Sequence, residues 1–380
     1  MKTFHLPVLI GAFLLTSFLN GCVNTERHRA KADHAAYTNE PLRYAREFSI
    51  KNYSTFKVLE VRNAWDTLHA LARYVLVPRK NPLPPHLPEG IVIRTPVQSF
   101  GCATSVDACM AAKLGVLPLV NAVAEKDYLH QPYLDEQFKK GKITEIGSSM
   151  NINAEKLMRA NPQILFVSPF KDNKYGHLKQ TGVPLIQIAN YLENHPLGRA
   201  EWILFYGAFF EKEELAQKIF DSISCRYEQL AGLTRNLSSR PTIFSGKLYG
   251  NLWYMAGGKS YPARFFKDAG SNYIWANRPE TVSFPLDFET VYQKAINADY
   301  WQILDFYNGT YTYQNLKTEY PPYSNFKAFQ KKKVIFCNTH YSDYYEQGLL
   351  EPDIILADLI NILHPGILKN HIQKYFSLLK

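Results

Sequence analysis

The segment from Glu211 to Asn236, EKEELAQKIFDSISCRYEQLAGLTRN, constrains the fold more than any other stretch of the chain. Apolar residues recur every three or four positions and charged residues fill most of the other positions, which predicts an amphipathic helix. The apolar positions are Leu215, Ile219, Ile223, Tyr227 and Leu230. At 1.5 Å per residue the helix is about 39 Å long, the width of a domain. We interpret it as a rod that joins two lobes. An ordinary long helix inside a single α/β domain is the alternative.

Strand patterns alternate with helical patterns on both sides of this segment. NPQILFVSP and VPLIQIAN before it, and YWQILDF and KKKVIFCN after it, are typical of strands. The unbroken apolar runs of the first two indicate a sheet covered on both faces. DFETVYQKAINAD, PDIILADLINILHP and ILKNHIQKYFSLLK are helical patterns. The alternation predicts two α/β lobes with parallel sheets, and 380 residues are enough for two domains.

Charge and cysteine content exclude several kinds of function. The net charge is +9, but the excess is spread along the chain and no basic stripe or recognisable module accompanies it, so we do not expect nucleic-acid binding. Five cysteines do not form a disulfide framework in a chain of this length. Without a CxxC pair or HExxH, the sequence offers no strong zinc motif, and we predict no protein-held metal.

The first 22 residues have the pattern of an export signal. LPVLIGAFLLTSFL is apolar but too short to span a bilayer, and it leads into Leu19-Asn20-Gly21-Cys22. This ending resembles the lipobox of bacterial lipoproteins, in which the cysteine accepts the lipid. We therefore expect Cys22 to anchor the chain at the periplasmic face of a bacterial membrane, and residues 23–43 to form a flexible tether. An uncleaved signal anchor with a chance cysteine is the alternative.

Six motifs, in order, carry a resemblance to a known family. They are IGSSMNINAEKLMRANPQILFVSP, HPLGRAEWILFYGAFFEKEELAQKIF, WYMAGGKSYPARFFKDAGSNYIWA, FETVYQKAINADYWQI, SDYYEQG and PDIILADLINILHPGIL. Together they resemble the substrate-binding lipoproteins of the ABC importers for iron siderophores, haem and cobalamin. The resemblance implies a class III periplasmic binding protein: two Rossmann-like lobes joined by a single long backbone helix, with ligand in the cleft between them.

The resemblance also implies domain boundaries, the partners of the protein and a function in binding rather than in catalysis. It places an N-terminal extension at 44–90, a first lobe at 91–197, connecting helices at 198–236 and a second lobe at 237–380. It implies a monomer that is not an enzyme and has no cofactor, and that delivers an iron chelate, haem or a corrinoid to a permease with its ATPase. Two other functions remain open: a surface capture protein without a permease, and an exported hydrolase using Ser99 or Ser105 with His340 and Asp343, although no spacing supports that triad.

Two glutamates match the family's permease-docking positions. Glu155 lies in NAEKL and Glu289 in DFETV, one in each lobe. The resemblance implies that each pairs with arginines of the permease, and separated carboxylates can orient docking. The alternative is that each acid only favours the dipole of the helix whose first turn it occupies.

The ligand face is expected to consist of the loops at the strand ends. The candidates are Ser99, Phe100, Thr104, Tyr128, Tyr133, Tyr249, Trp253, Tyr307, His340, Tyr344 and Tyr345. Flat aromatic side chains suit a planar macrocycle. SDYYE resembles a cobalamin-binding loop, with Tyr344 where that loop has Trp. Arg94, Arg264 and Arg278 form no cluster in the sequence, which favours a macrocycle over an anionic siderophore.

Overall fold

A computed structural model describes residues 36–171 and 175–380. The predicted signal peptide, Cys22 and the first part of the predicted tether lie outside the described residues. Within the described ranges, no helix has both the length and the apolar character that crossing a membrane requires.

The strands are numbered in chain order. They are β1 (Thr38–Asn39), β2 (Phe48–Asn52), β3 (Lys57–Arg62), β4 (Ala70–Pro78), β5 (Ile91–Thr95), β6 (Phe100–Cys102), β7 (Val120–Val123), β8 (Thr144–Glu145), β9 (Gly147–Ser148), β10 (Asn151–Ile152), β11 (Ile164–Val167), β12 (Leu185–Gln187), β13 (Thr242–Ser245), β14 (Leu248–Tyr249), β15 (Leu252–Met255), β16 (Asn272–Tyr273), β17 (Phe284–Leu286), β18 (Tyr300–Asp305), β19 (Val334–Asn338) and β20 (Ser377–Leu378). The helices are α1 (Ser105–Lys113), α2 (Pro132–Lys139), α3 (Ala154–Ala160), α4 (Pro196–Phe209), α5 (Glu213–Thr234), α6 (Tyr261–Asp268), α7 (Phe288–Ala295), α8 (Tyr313–Glu319), α9 (Lys327–Gln330) and α10 (Pro352–Leu363).

The N-terminal extension is a five-stranded sheet in the order β1-β2-β3-β4-β5. Its limits differ from the predicted 44–90, because β1 falls in the predicted tether and β5, expected to open the first lobe, pairs in parallel with β4. The sheet packs on α4, where the tilted rings of Phe48 and Trp202 are in contact with centroids 4.7 Å apart. The extension therefore shares a core with the connecting helices.

The first lobe is built on a parallel sheet in the order β12-β11-β6-β7-β8. The chain runs outward from β6 to β7 and β8, then returns to the other side of β6 with β11 and β12. In sheets of this Rossmann-like kind, ligands bind beyond the carboxyl ends of the strands, at the point where the strand order reverses. In this lobe that point lies between β6 and β11.

The second lobe repeats the arrangement, with a sheet in the order β16-β13-β18-β19-β20. All pairs are parallel except β19 with β20. The closing helix predicted for ILKNHIQKYFSLLK is wrong, since this segment ends in β20 and contains no α-helix. The buried carboxylate of Asp358 accepts the backbone N–H groups of Lys374, Tyr375 and Phe376, which holds the segment in an extended path that a helix could not follow.

The rod is confirmed as α5, 22 residues long, against the predicted 211–236. It begins later than predicted because Glu211 has a φ of 53°, a left-handed conformation that separates α4 from α5. The helix packs on α4 along one part of its length and on α10 of the second lobe along another. Its buried face includes Ala216 and Phe220, whereas Leu215 is 38% exposed.

Candidate functional site

Loops at the carboxyl edges of the two sheets contact each other. From the first lobe, the backbone N–H of His130 donates to Oε2 of Glu346 over 3.1 Å, and the side chain of Gln131 donates to Oε1 of the same glutamate over 2.6 Å. Nδ1 of His130 lies 2.9 Å from Oδ1 of Asp343. Because His130 follows β7 and Asp343 follows β19, the carboxyl edges of the two sheets face one another. We call the space between them the cleft.

Several loops that follow strands of the two sheets carry exposed aromatic side chains. Those with between 38% and 82% of their surface exposed are Tyr128 and Tyr133 of the first lobe, and Tyr249, Phe306, Tyr341 and Tyr345 of the second. Each follows the carboxyl end of β7, β13, β18 or β19. Large aromatic groups exposed together mark a surface that is covered in the functional state. Phe306 and Tyr341 were missed from sequence, although Phe306 ends the predicted strand YWQILDF and Tyr341 lies three residues after the predicted strand KKKVIFCN.

His130, Asp343 and Glu346 could also hold a metal ion, since one ligand atom from each lies within 4.8 Å of the others. Each of these atoms already has a protein partner. Burial raises the pKa of Glu346, and the hydrogen bonds that Glu346 accepts from Gln131 and His130 partly oppose this increase. A hydrogen-bonded contact between the lobes is therefore sufficient to explain why these three side chains lie together.

Thr104 lies at the carboxyl end of β6, beside the reversal point of the first sheet. Its backbone N–H and hydroxyl donate to Oδ2 of Asp107 over 2.9 Å and 3.0 Å. Asp107 also accepts the Tyr206 hydroxyl over 2.5 Å, which ties this turn to α4. Burial raises the pKa of Asp107 to about 6. The turn is thus rigidly positioned, and Thr104 remains a candidate ligand residue.

Three predicted ligand residues do not face the cleft. Ser99 lies at the amino end of β6, where its hydroxyl accepts the backbone N–H of Gln163 over 3.2 Å. Phe100 is fully buried against Phe166 and other rings of the core. Trp253 is also fully buried, and its indole N–H donates to a backbone carbonyl over 2.9 Å. Sequence shows that a residue is aromatic, but not which edge or face of a sheet it occupies.

Of the two tyrosines in the SDYYE loop, the second one, Tyr345, is exposed to solvent. Tyr344 is only 8% exposed and packs against Tyr375 and Phe376, with ring centroids 5.8 Å and 5.7 Å away. Its neighbour Tyr345 is 61% exposed. The ring that matches the cobalamin-loop position therefore lies mainly in the core, and Tyr345 is the better candidate for ligand contact.

Tyr307 and His340 occupy the rim formed by the loops after β18 and β19. Tyr307 is half-buried, and its hydroxyl accepts the side-chain N–H of Asn315 over 3.2 Å. The His340 ring packs edge-on against Phe306 and Tyr341, with centroids 4.6 Å and 4.5 Å apart. Among the described residues no hydrogen bond joins His340 to Asp343, which contacts His130 instead. The hydrolase alternative receives no support from this geometry.

The three arginines considered from sequence all have internal partners. Arg94 donates to the backbone carbonyls of residues 78, 79 and 81. Arg264 pairs with Asp268 over 2.7 Å, and Arg278 pairs with Glu280 over 2.5 Å. None of the three is therefore free for an anionic ligand.

Glu155 and Glu289 occupy equivalent places in the two lobes. Each is exposed in the first turn of a helix, α3 or α7, that leads into a parallel strand. Asn153 and Asp287 cap these helices by accepting backbone N–H groups over 2.9 Å and 2.6 Å. Since such helices begin near the carboxyl edge of the sheet, both glutamates lie toward the cleft side of their lobes. Neither forms an ion pair within the described residues.

Residues 104–341 match the model of the periplasmic binding protein family. The chain belongs to this family. The family is one of solute-binding proteins. The expected class III fold is confirmed.

Individual relatives agree with this assignment. The chain is 32% identical to an uncharacterized lipoprotein of Methanocaldococcus jannaschii over 64% of its own length and 58% of that relative, so it spans less than two thirds of the relative. Two solved structures, each 15% identical over 71% of this chain, share the fold. The haem-binding protein RhuT from Roseiflexus has a TM-score of 0.53 over 99% of its chain, and an Fe3+-hydroxamate transport protein from Saccharomonospora viridis has 0.56 over 94%.

Proposed function

We propose that this periplasmic binding protein captures an iron chelate, haem or a corrinoid in the cleft and delivers it to an ABC permease driven by its ATPase. The observation that carries the proposal is the set of exposed aromatic rings on the two facing carboxyl edges, with Tyr128 on one side and Tyr249, Phe306 and Tyr345 on the other. Planar rings stack on a planar macrocycle and bury apolar area. A tyrosine phenolate can also serve as an axial ligand of haem iron.

The ligands that we consider are taken from the proteins whose solved structures share the fold. One is a haem-binding protein and another belongs to an Fe3+-hydroxamate transport system, so the same fold accommodates both a macrocycle and a siderophore. The fold alone does not choose between them. The choice depends on the side chains that line the cleft in this chain.

To deliver its ligand, the protein must be held at the membrane and must dock on the permease. We propose that lipidated Cys22 holds the protein at the periplasmic side of the membrane as a monomer, and that Glu155 and Glu289 contact the permease. Two exposed carboxylates, one in each lobe and both toward the cleft, are suited to orient the cleft over the translocation path. Their lack of ion pairs within the described residues leaves them available for a partner.

A titration of the purified protein tests the proposed function. Haemin, cyanocobalamin and ferrichrome are added separately, and binding is followed by the visible spectrum and by quenching of tryptophan emission. We expect saturable binding of one of them, weakened in Tyr345→Ala. If none of a wider panel of metal chelates bound, the proposal would be wrong.

A further inference from the structure

Arg199, near the start of α4, has an unusual environment for a charged side chain. Its guanidinium lies over the ring of Tyr261, 4.2 Å from the ring centroid. Its Nε is buried and has no hydrogen-bond partner. Within the described chain Arg199 also forms no ion pair. A buried donor of a charged group that lacks a hydrogen-bond partner destabilises the folded state, so a function for this group is expected.

The guanidinium borders a small cavity beside the exposed Tyr345. The cavity has a volume of about 20 Å³ and is lined by residues that include Arg199, Tyr261, Tyr344, Tyr345, Gly348 and Pro352. It lies where α4, α6 and α10 begin. Tyr344 and Tyr345 in its lining follow β19, at the carboxyl edge of the second sheet, so the cavity lies beside the cleft. Its volume suits one oxygen of a ligand group and not a whole ligand.

The electrostatic surroundings favour a negative charge at this point. The nearby carboxylates have their own cations: Glu351 pairs with Lys374 and Asp353 pairs with Arg226. The positive ends of three helix dipoles add to the charge of Arg199. The hydroxyls of Tyr261 and Tyr345 donate to no other group in the described chain. The cavity therefore offers N–H and O–H donors together with a positive charge.

We propose that Arg199, with the hydroxyls of Tyr261 and Tyr345, forms a subsite for a carboxylate of the transported ligand. This inference rests on the proposed function and narrows it to carboxylate-bearing metal chelates, such as a porphyrin with propionates or a ferric hydroxycarboxylate. A planar guanidinium matches a carboxylate geometrically, and the charge-assisted bonds are stronger than neutral ones. The body of the ligand lies among the exposed aromatic rings of the cleft, outside the cavity.

Haemin and its dimethyl ester provide the decisive pair of probes, because they differ only in the two carboxylates. The wild-type protein is expected to bind haemin at least about tenfold more tightly than the ester, measured by Soret titration. Arg199→Gln is expected to lose this preference, and Arg199→Lys to retain part of it. Arg159→Gln, which removes an exposed arginine from the last turn of α3, is the matched control and is expected to behave like wild type.

The outcomes separate this inference from the proposed function. Equal binding of haemin and its ester by the wild type would overturn the carboxylate subsite while leaving the transport proposal intact. Should neither porphyrin bind, ferric citrate is the third probe. Ferric citrate binding that depends on Arg199 would support the subsite and exclude the macrocycle, whereas binding independent of Arg199 would overturn it. Absence of binding for all three probes would overturn the subsite together with the assignment of these ligands.

Discussion

His130 of the first lobe and Asp343 of the second are 213 positions apart in the chain, and Nδ1 of one lies 2.9 Å from Oδ1 of the other. Glu346 strengthens this contact by accepting the backbone N–H of His130. The contact joins the two loops that carry the exposed Tyr128 and Tyr345, so we expect it to hold these candidate ligand residues at a fixed separation.

Removal of the His130 side chain is expected to loosen this contact without unfolding the protein. In His130→Ala the backbone bond to Glu346 remains and only the bond to Asp343 is lost. Since both side chains are partly exposed, the free-energy change is about 1 kcal/mol or less. Hydrogen exchange should become faster in residues 128–133 and 343–348. His69→Ala, which breaks a similar pair with Asp66 in the extension, is the control and should leave these segments unchanged.

Tyrosines of the cleft and the buried tryptophan beside them are expected to respond differently to truncation. Tyr249→Ala and Tyr345→Ala should weaken ligand binding by about tenfold and leave the thermal midpoint nearly unchanged, because the rings are exposed. Trp253→Ala should lower the free energy of unfolding by about 3–5 kcal/mol. Ligand titration and thermal denaturation of the same samples provide both readouts. Strong destabilisation by Tyr249→Ala would contradict its placement at the cleft.

The double variant Glu155→Ala, Glu289→Ala is expected to abolish ligand uptake through the permease and to keep ligand affinity. Each acid contributes at most about 1 kcal/mol to its helix, so the fold should persist. Uptake of labelled ligand into cells and titration of the purified variant measure the two properties. Glu214→Ala changes an exposed acid in the first turn of α5 and is the control. Loss of ligand affinity in the double variant would place these acids in the ligand site instead.

Stability is expected to decrease as the pH rises from 5 to 8, through Glu193. Burial raises the pKa of this carboxyl from 4.5 to about 7, while backbone N–H groups of Glu47 and Arg46 and the indole of Trp202 partly oppose the shift. The folded state therefore binds this proton more tightly, so the contribution is complete below pH 4.5 and is lost as the pH passes 7. It amounts to about 3 kcal/mol.

Chemical denaturation of wild type and Glu193→Gln across this pH range measures the contribution. The variant keeps an acceptor for the N–H groups but cannot titrate, so its free energy of unfolding should depend less steeply on pH. Parallel curves for the two proteins would show that Glu193 keeps an ordinary pKa in the folded state.

Cys22→Ala is expected to release the protein from the membrane, since a lipidated cysteine is the proposed anchor. Fractionation of cells followed by detection of the protein in membrane and soluble fractions measures this. A variant that stays with the membrane would favour the uncleaved signal anchor over the lipobox interpretation.

Periodic patterns in the sequence determined the elements that depend on local spacing. The rod predicted at 211–236 is the helix Glu213–Thr234, and the apolar runs before and after it are the central strands β11, β18 and β19. These predictions succeeded because apolar periodicity reports which side of an element is buried. The periodicity failed at ILKNHIQKYFSLLK, where the distant carboxylate of Asp358 binds the backbone and overrides the helical pattern.

The candidate site was decided by the tertiary structure. Composition suggested aromatic residues as candidates for ligand contact, but only the positions of the sheet edges separated exposed Tyr345 from buried Phe100 and Trp253. Arg199 has no local sequence pattern that marks it, since its importance depends on which distant carboxylates are already paired. Local spacing thus fixed the two lobes and the rod, whereas pairing between residues far apart in the chain determined which charges and rings face the cleft.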